Sequence, residues 1–458
     1  MKTKFFTITV LFIQSLLFSQ EISGAWVGEL DVQGMKLPLI FNIKQDSGNY
    51  SSTLDSPKQG AKDIPVNKTV FSNNELTLEL PSMQVVYKAK FVADKFEGTF
   101  KQRGMELPLV LERKDNSKNY SFNRPQTPKG TFDYQIEEVS FVNSIDHNTL
   151  AGTITLPKNK KDFPIVILIT GSGAQNRDEE LFEHKPFAVI ADDFAKKGIA
   201  CLRLDDRGVG GSSKTENATT ANFASDIDSA VAFLAQKGYQ NIGLLGHSEG
   251  GMIAPMVAST NKNVKFIISM AGPGVKIEEL MAMQIEKGGL LAGEKAEKVK
   301  LDVATAQKVY AYLSAYKGNN LLNDIEIFYT KELQQYPEDL FDKKTIEQQA
   351  KSITKFYSNP WFLYFIKFNP QDYISKLKIP VLAINGSKDF QVDAKTNLEG
   401  FEKGLKKAGN KKFETLNLEG LNHLFQECKT GAFAEYSEIE QTISPKALEK
   451  MSTWILKM

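Results

Sequence analysis

Leu244-Leu245-Gly246-His247-Ser248-Glu249-Gly250-Gly251 is the stretch on which the fold of this chain turns. It closes a short apolar run, Ile242 to Leu245, and leads into a small-residue segment, Gly251 to Ala258, of helical character. A strand that enters a helix through so short a turn forces the serine to positive φ and lifts its hydroxyl clear of the sheet. Side chains two positions before and two after would collide, and both positions are glycine, Gly246 and Gly250. Ser248 is therefore the candidate nucleophile. The bare pattern G-x-S-x-G arises by chance in many chains, so its weight rests on what other segments supply.

A serine hydroxyl at neutral pH needs a base within hydrogen-bond reach, and the base needs an acid to orient it. In a strand–turn–helix setting the order along the chain is serine, acid, histidine. Of the four histidines, His147 and His184 precede the serine and His247 lies inside the turn, pointing elsewhere. His423 alone follows at a distance, in Leu418-Glu419-Gly420-Leu421-Asn422-His423, directly after the last expected strand. Elimination makes it the base. The acid is expected in Asn385-Gly386-Ser387-Lys388-Asp389, after the strand Val381 to Ile384. Asp389 is preferred; Asp393, nearer the next helix, suits an N-cap and is second choice. Backbone N–H groups must hold the oxyanion. One is expected from Glu249. The other is expected from Thr170-Gly171-Ser172-Gly173-Ala174, with Ser172 first and Gly173 second. Neither G-x-G-x-x-G spacing nor a following G-K-S/T is present, which argues against nucleotide binding.

With 458 residues the chain has room for two or three domains. Its net charge is +1 and no basic block stands out, so nucleic acid is not an expected partner. No C-x-x-C or paired-histidine spacing points to a metal, and the expected chemistry needs no cofactor. Residues 1–19 read as a signal peptide: Lys2 and Lys4, an apolar run from Phe5 to Phe18 too short to span a bilayer, then Ser19. The mature protein is thus expected to be exported, periplasmic or extracellular, without stable membrane insertion. Export would permit a disulfide, but Cys201 lies in an apolar strand-like run and reads as a buried free thiol.

Residues 20–115 read as an all-β accessory domain, a small barrel or sandwich. Gly34-Met35-Lys36-Leu37-Pro38-Leu39-Ile40-Phe41 echoes Gly104-Met105-Glu106-Leu107-Pro108-Leu109-Val110-Leu111. One copy near each end suggests that the first and last strands meet and close the sheet. Residues 116–133, polar and proline-bearing, read as a linker. From 134 to 458 strands alternate with helices, which implies a mostly parallel sheet covered on both faces. A helical insertion at about 275–370 breaks the alternation and is expected to cap the site, its aromatic cluster Trp361-Phe362-Leu363-Tyr364-Phe365 facing substrate or core.

The runs G-S-G-A-Q-N-R-D-E, H-K-P-F, D-D-R-G-V-G-G-S, G-H-S-E-G-G and G-L-N-H-L-F-Q, in this order over residues 134–458, resemble the α/β-hydrolase superfamily. The similarity is to the serine-aminopeptidase-like and dienelactone-hydrolase-like branch, and within it to exported EstD-type acyl esterases. It implies an α/β-hydrolase fold and hydrolysis of small acyl esters, often short, by a Ser-Asp-His triad that maps onto Ser248, Asp389 and His423. The loop after Ile169 begins Thr170-Gly171 where many members have His-Gly. A peptidase on the same fold is the alternative enzyme, and a non-catalytic binding protein the alternative of another class.

Overall fold

The computed structural model describes residues 21–32, 35–59, 61–102, 105–115, 122–158 and 162–458. The expected signal peptide lies outside them. The chain divides into two compact units, Met1–Ser121 and Phe122–Met458.

The described residues of the first unit form one antiparallel sheet of nine strands: β1 (Gly24–Val32), β2 (Met35–Asp46), β3 (Asn49–Ser56), β4 (Ala61–Val66), β5 (Lys68–Ser72), β6 (Glu75–Leu80), β7 (Val85–Val92), β8 (Lys95–Gln102) and β9 (Met105–Arg113). Period-two patterning puts Leu76, Leu78 and Leu80 inside while their neighbours face out. Two-residue turns with positive φ at both positions, Ser47-Gly48, Asn73-Asn74 and Ala93-Asp94, join neighbouring strands, the geometry that matches strand twist. The strand order is β4-β3-β2-β1-β9-β8-β7-β6-β5. The first and last strands do pair, Trp26 opposite Arg113, and the echoing segments flank β1 on β2 and β9. That pairing sits mid-sheet, however. The seam of this nearly closed barrel falls instead at the end strands β4 and β5, and across it Ser52 of β3 and Thr69 of β5 share a hydroxyl–hydroxyl bond of 2.7 Å. Trp26 is wholly buried at the centre, edge-on to Phe96 and donating its indole N–H to the Ile22 carbonyl at 2.8 Å.

The second unit is built on a sheet in the order β10 (Tyr134–Val142), β11 (Thr149–Pro157), β13 (Ala200–Leu204), β12 (Ile165–Ile169), β14 (Ile242–His247), β15 (Val264–Met270), β16 (Val381–Gly386), β17 (Phe413–Leu418). From β13 onward in this order all neighbours are parallel; β10 and β11 form an antiparallel hairpin at one edge. The buried strands read Ile-Val-Ile-Leu-Ile and Ile-Gly-Leu-Leu-Gly-His, without alternation, because helices cover both faces. Those helices include α1 (Pro186–Lys196), α2 (Thr220–Gln236), α3 (Glu249–Ala258), α10 (Ala394–Lys407) and α12 (Pro445–Ile455). Helix α2 starts before the apolar stripe does, because the Asn222 side chain accepts from Thr219 N at 2.9 Å and closes its first turn. The chain leaves β12 toward β13 and then crosses back to β14. The crevice between the carboxyl ends of β12 and β14 is therefore the switch point where such sheets bind ligands.

Between β15 and β16 lie α4 (Ile277–Leu291), α5 (Ala296–Ala315), α6 (Leu321–Gln334), α7 (Ile346–Tyr357), α8 (Pro360–Phe365) and α9 (Gln371–Ile374). Their apolar cluster, with Val309, Tyr310, Phe362 and Phe365, is continuous with Met252 and Met256 of α3, so the insertion is seated on the helix that begins at the candidate nucleophile. The stretch read as a linker differs from expectation from Phe122 on, which belongs to the second unit. The Arg124 guanidinium donates to the carbonyls of Phe182, Ser437 and Ile439 at 2.8–3.0 Å. A polar, proline-bearing composition conceals such anchoring because its partners are backbone atoms distant in sequence. Both thiols are free; Cys201 is buried in β13.

Trp26→Ala should destabilise the barrel by roughly 3–5 kcal/mol, measured as a lower denaturation midpoint for its transition in the intact protein.

Candidate active site

Ser248 sits between β14 and α3 at φ 52°, ψ −118°. The turn is too tight for flanking side chains. A Cβ on Gly246 would lie 1.9 Å from the Gly250 carbonyl oxygen, and one on Gly250 would lie 2.2 Å from that of Ile169. Glu249 opens α3, so its N–H lacks a helical acceptor and lies at the positive end of the helix dipole.

His423 follows β17 and Asp389 follows β16, both buried. Asp389 Oδ1 accepts from the N–H groups of Gln391 and Val392 at 2.8 and 2.9 Å, while Oδ2 meets Nδ1 of His423 at 2.7 Å. Nε2 of His423 makes no hydrogen bond to the described residues. Asp393 is occupied elsewhere: it accepts from Thr396 N at 2.8 Å, capping α10, and pairs with Lys287 of α4. Of the two carboxylates weighed for the acid, Asp389 is the one that reaches His423.

The loop after β12 is shaped by carboxylates. Glu179 Oε1 takes the Gly171 N–H at 2.7 Å. Asp206 takes the Thr170 hydroxyl and the Gln175 N–H, each at 2.9 Å. Burial pushes the Asp206 carboxyl up to about 7; these two donors oppose the shift, and the negative charges of Glu179 and Glu249 add to it. Ser172 lines the same cavity as Ser248, which Gly173 does not, and its N–H has no acceptor among the described residues.

That cavity encloses about 350 Å³. Met281, Phe356, Trp361 and Phe365 from the helical insertion form one wall, Phe433 and Tyr436 of α11 (Phe433–Glu438) another. Trp361 stacks on Phe365 with centroids 4.9 Å apart. Its indole N–H donates to the Glu249 carboxylate at 3.0 Å, which also takes the Thr220 hydroxyl at 2.6 Å. Burial raises the Glu249 carboxyl above the usual range, and these donors draw it back.

The other histidines are accounted for. His147 occupies the exposed β10–β11 turn. His184 is buried against Thr442 and the Tyr436 carbonyl, and burial together with the nearby Arg124 charge lowers it to about 4. His247 is directed away from the serine: Nδ1 meets Glu179 Oε1 at 3.0 Å and Nε2 donates to the His423 carbonyl at 2.9 Å. Sequence reasoning missed Glu179 and Asp206. Glu179 lies in Arg177-Asp178-Glu179-Glu180, which resembles a solvated charge run, and only its positive φ of 53° sets it apart. Asp206 stands in Asp205-Asp206-Arg207-Gly208 directly after an apolar strand, and a carboxylate pair at a strand end is the signal that marks it. Among the described residues no group of three His, Cys, Asp or Glu side chains could hold a metal ion.

Residues 164–418 match the family model described as alpha/beta hydrolase fold. The chain is 25% identical over 384 residues to a protein named Esterase EstD from Thermotoga maritima, covering 83% of each. Among solved structures it is similar to an esterase of Pyrococcus furiosus (TM-score 0.44, 15% identity, 73% of this chain and 98% of that one). It is also similar to the alpha/beta hydrolase GrgF of a Penicillium species (TM-score 0.41, 16% identity, 70% and 98%). The family match spans more than half of the chain and contains both the strained serine and the carboxylate that meets His423: this protein belongs to the alpha/beta hydrolase family.

Proposed function

We propose that the protein is a serine hydrolase that cleaves carboxylic esters of small molecules. The observation that carries this reading is the convergence of Ser248, His423 and the Glu249 N–H on one cavity, with Asp389 bonded to the far nitrogen of the imidazole. His423 takes the proton of Ser248 Oγ as that oxygen attacks the ester carbonyl. The N–H groups of Glu249 and Ser172 hold the oxyanion. His423 then passes the proton to the leaving alcohol, and an acyl-enzyme remains. Water, deprotonated by the same imidazole, releases the acid. Asp389 keeps Nδ1 protonated, so that Nε2 is the basic nitrogen. The esterase name of the Thermotoga maritima relative supports ester over amide. A cavity of about 350 Å³ walled by aromatic rings suits a short acyl group. Export rests on the composition of residues 1–19, and amino-terminal sequencing of the protein recovered outside the cytoplasm tests it.

An aminopeptidase needs a carboxylate free to anchor a substrate ammonium. Glu179 and Glu249 both line the cavity, yet each is occupied, the first by Gly171 and His247, the second by Thr220 and Trp361. This weakens the peptidase alternative. A chain-length series of nitrophenyl esters beside aminoacyl anilides tests the choice, and faster anilide cleavage would overturn it. A non-catalytic binder would leave Ser248 unlabelled by a fluorophosphonate.

Ser248→Ala should lower kcat by roughly 10⁴- to 10⁶-fold, and Asp389→Asn by roughly 10⁴-fold, in single-turnover assays with an activated ester. Trp361→Ala should move the acyl optimum to longer chains and reduce kcat/KM for the shortest ester by roughly ten-fold. Asp206 gives a stability prediction. Its carboxyl is raised in the folded state to about 7, so its contribution is fully present below the unfolded value near 4 and is lost as pH rises through about 7. An amide can accept from Gln175 N and donate to the Thr170 hydroxyl. Asp206→Asn should therefore match the wild type at low pH and exceed it in unfolding midpoint above neutrality.

A further inference from the structure

A second carboxylate–imidazole pair lies beside the one formed by Asp389 and His423. The rings of His247 and His423 are 4.8 Å apart. Each ring nitrogen of His247 faces an oxygen that acts as acceptor. Nδ1 faces Glu179 Oε1, which also takes the Gly171 N–H, and Nε2 faces the His423 backbone carbonyl. A carbonyl cannot donate, and a neutral imidazole can donate from only one nitrogen. We propose that His247 is a permanent imidazolium, forming with Glu179 a buried ion pair that locks the β12 loop, the nucleophile turn and the His423 loop together and cancels the Glu179 charge next to His423.

The location supports this. Glu179 has a strained backbone in a segment that also holds Phe182 and Glu183 at positive φ, and strain of this kind persists where the surroundings over-determine it. His247 and Glu179 are both buried, and an unpaired charge there would be costly. The titratable groups around the pair are Asp389 and His423 from the loops after β16 and β17, Asp206 after β13, the Glu249 side chain on α3, and Tyr436 of α11 facing Asp389. Burial acts against charge on His247, but the Glu179 charge, its hydrogen bond and the His423 carbonyl outweigh it and raise the proton affinity of the ring. Both residues act through His423 and Gly171, so they are positioning residues whose charge state also sets the field at the base. The part played by the field rests on the reading of His423 as the base for Ser248.

The direct test is the nitrogen-15 spectrum of histidine-labelled, full-length protein at about pH 8. His247, assigned by its absence in His247→Asn, should show two protonated ring nitrogens. His184, held neutral between a hydroxyl and a carbonyl, supplies the reference for one bare nitrogen. A bare nitrogen on His247 overturns the proposal. This measurement needs no turnover, so its outcome is separate from the assignment of Ser248, which full activity in Ser248→Ala would refute. The second arm is the acid limb of kcat/KM. His247→Asn leaves the Glu179 carboxylate uncompensated beside His423. A negative charge there stabilises the protonated base, so the limb should move up by about one pH unit. Adding Glu179→Gln removes that charge and should return the limb toward the wild-type position. A limb unmoved in the single variant, or unrestored in the double, refutes the electrostatic role, since loss of packing alone would lower the rate without shifting the limb reversibly. If neither variant folds, the wild-type ring-nitrogen spectrum still decides, with His247 assigned by elimination from the signals lost in His147→Asn, His184→Asn and His423→Asn.

Discussion

No carbon atom can be added at position 246 or 250. Helix α3 approaches the ends of β12 and β14 so closely that a Cβ at either glycine would overlap a backbone carbonyl. Everything else in the site follows from that proximity. The serine between the glycines is held in a conformation that costs about 1–3 kcal/mol, and the apolar layers on both faces of the sheet hold it there. The same proximity brings the first free N–H of α3 next to the loop that leaves β12. A Cβ on Gly171 would stand 3.2 Å from that of Ser248. The close packing of one helix on one sheet end thus sets the candidate nucleophile and the proposed oxyanion donors in a common frame.

Within that frame, hydrogen-bond competition selects the donors. The loop from Thr170 to Gln175 offers several N–H groups, but Gly171 is bound by Glu179 and Gln175 by Asp206. What remains open on the cavity side is Ser172. Three carboxyl groups, the buried Glu179 and Glu249 and the partly exposed Asp206, surround this region; desolvation first, and then the charges of Glu179 and Glu249, raise the affinity of Asp206 for its proton. A site proposed to stabilise a developing negative charge is therefore built over acceptors rather than over arginines. The acceptors engage the wrong N–H groups and leave the right ones unsatisfied. Backbone dipoles fixed in this way need no reorganisation as charge develops.

The sequence makes legible the features whose physics is local. Gly246 and Gly250 announce the turn, and the strand ends before Asp389 and His423 announce the loops that carry them. Asp389 and Asp393 could be separated because an N-cap has its own spacing, and the structure finds Asp393 in that place. What stayed hidden depends on distant partners. Glu179 looks like surface charge until His247 and Gly171 fold onto it. Arg124 sits in a stretch of linker composition, though it binds carbonyls more than three hundred residues away along the chain. The barrel was legible in its terminal strands and hidden at its seam. Its echoing segments correctly indicate that β1 and β9 are neighbours, but which strands form the seam depends on curvature accumulated over nine strands. No pair of motifs records that curvature.

Arg124 carries one more implication. Its guanidinium bridges Phe182, within the strained segment that begins at Glu179, to Ser437 and Ile439 at the end of the helix that walls the cavity. Three carbonyls from two remote stretches are tied by one side chain that lies before the first strand of the sheet. The catalytic unit therefore has a molecular clasp at its amino-terminal end. A chain trimmed to begin at the first strand, Tyr134, would keep Ser248, Asp389 and His423 and lose the clasp that gathers the cavity rim. The second compact unit starts at Phe122, twelve residues ahead of the first strand of its sheet, and Arg124 is what fastens that extra stretch to it.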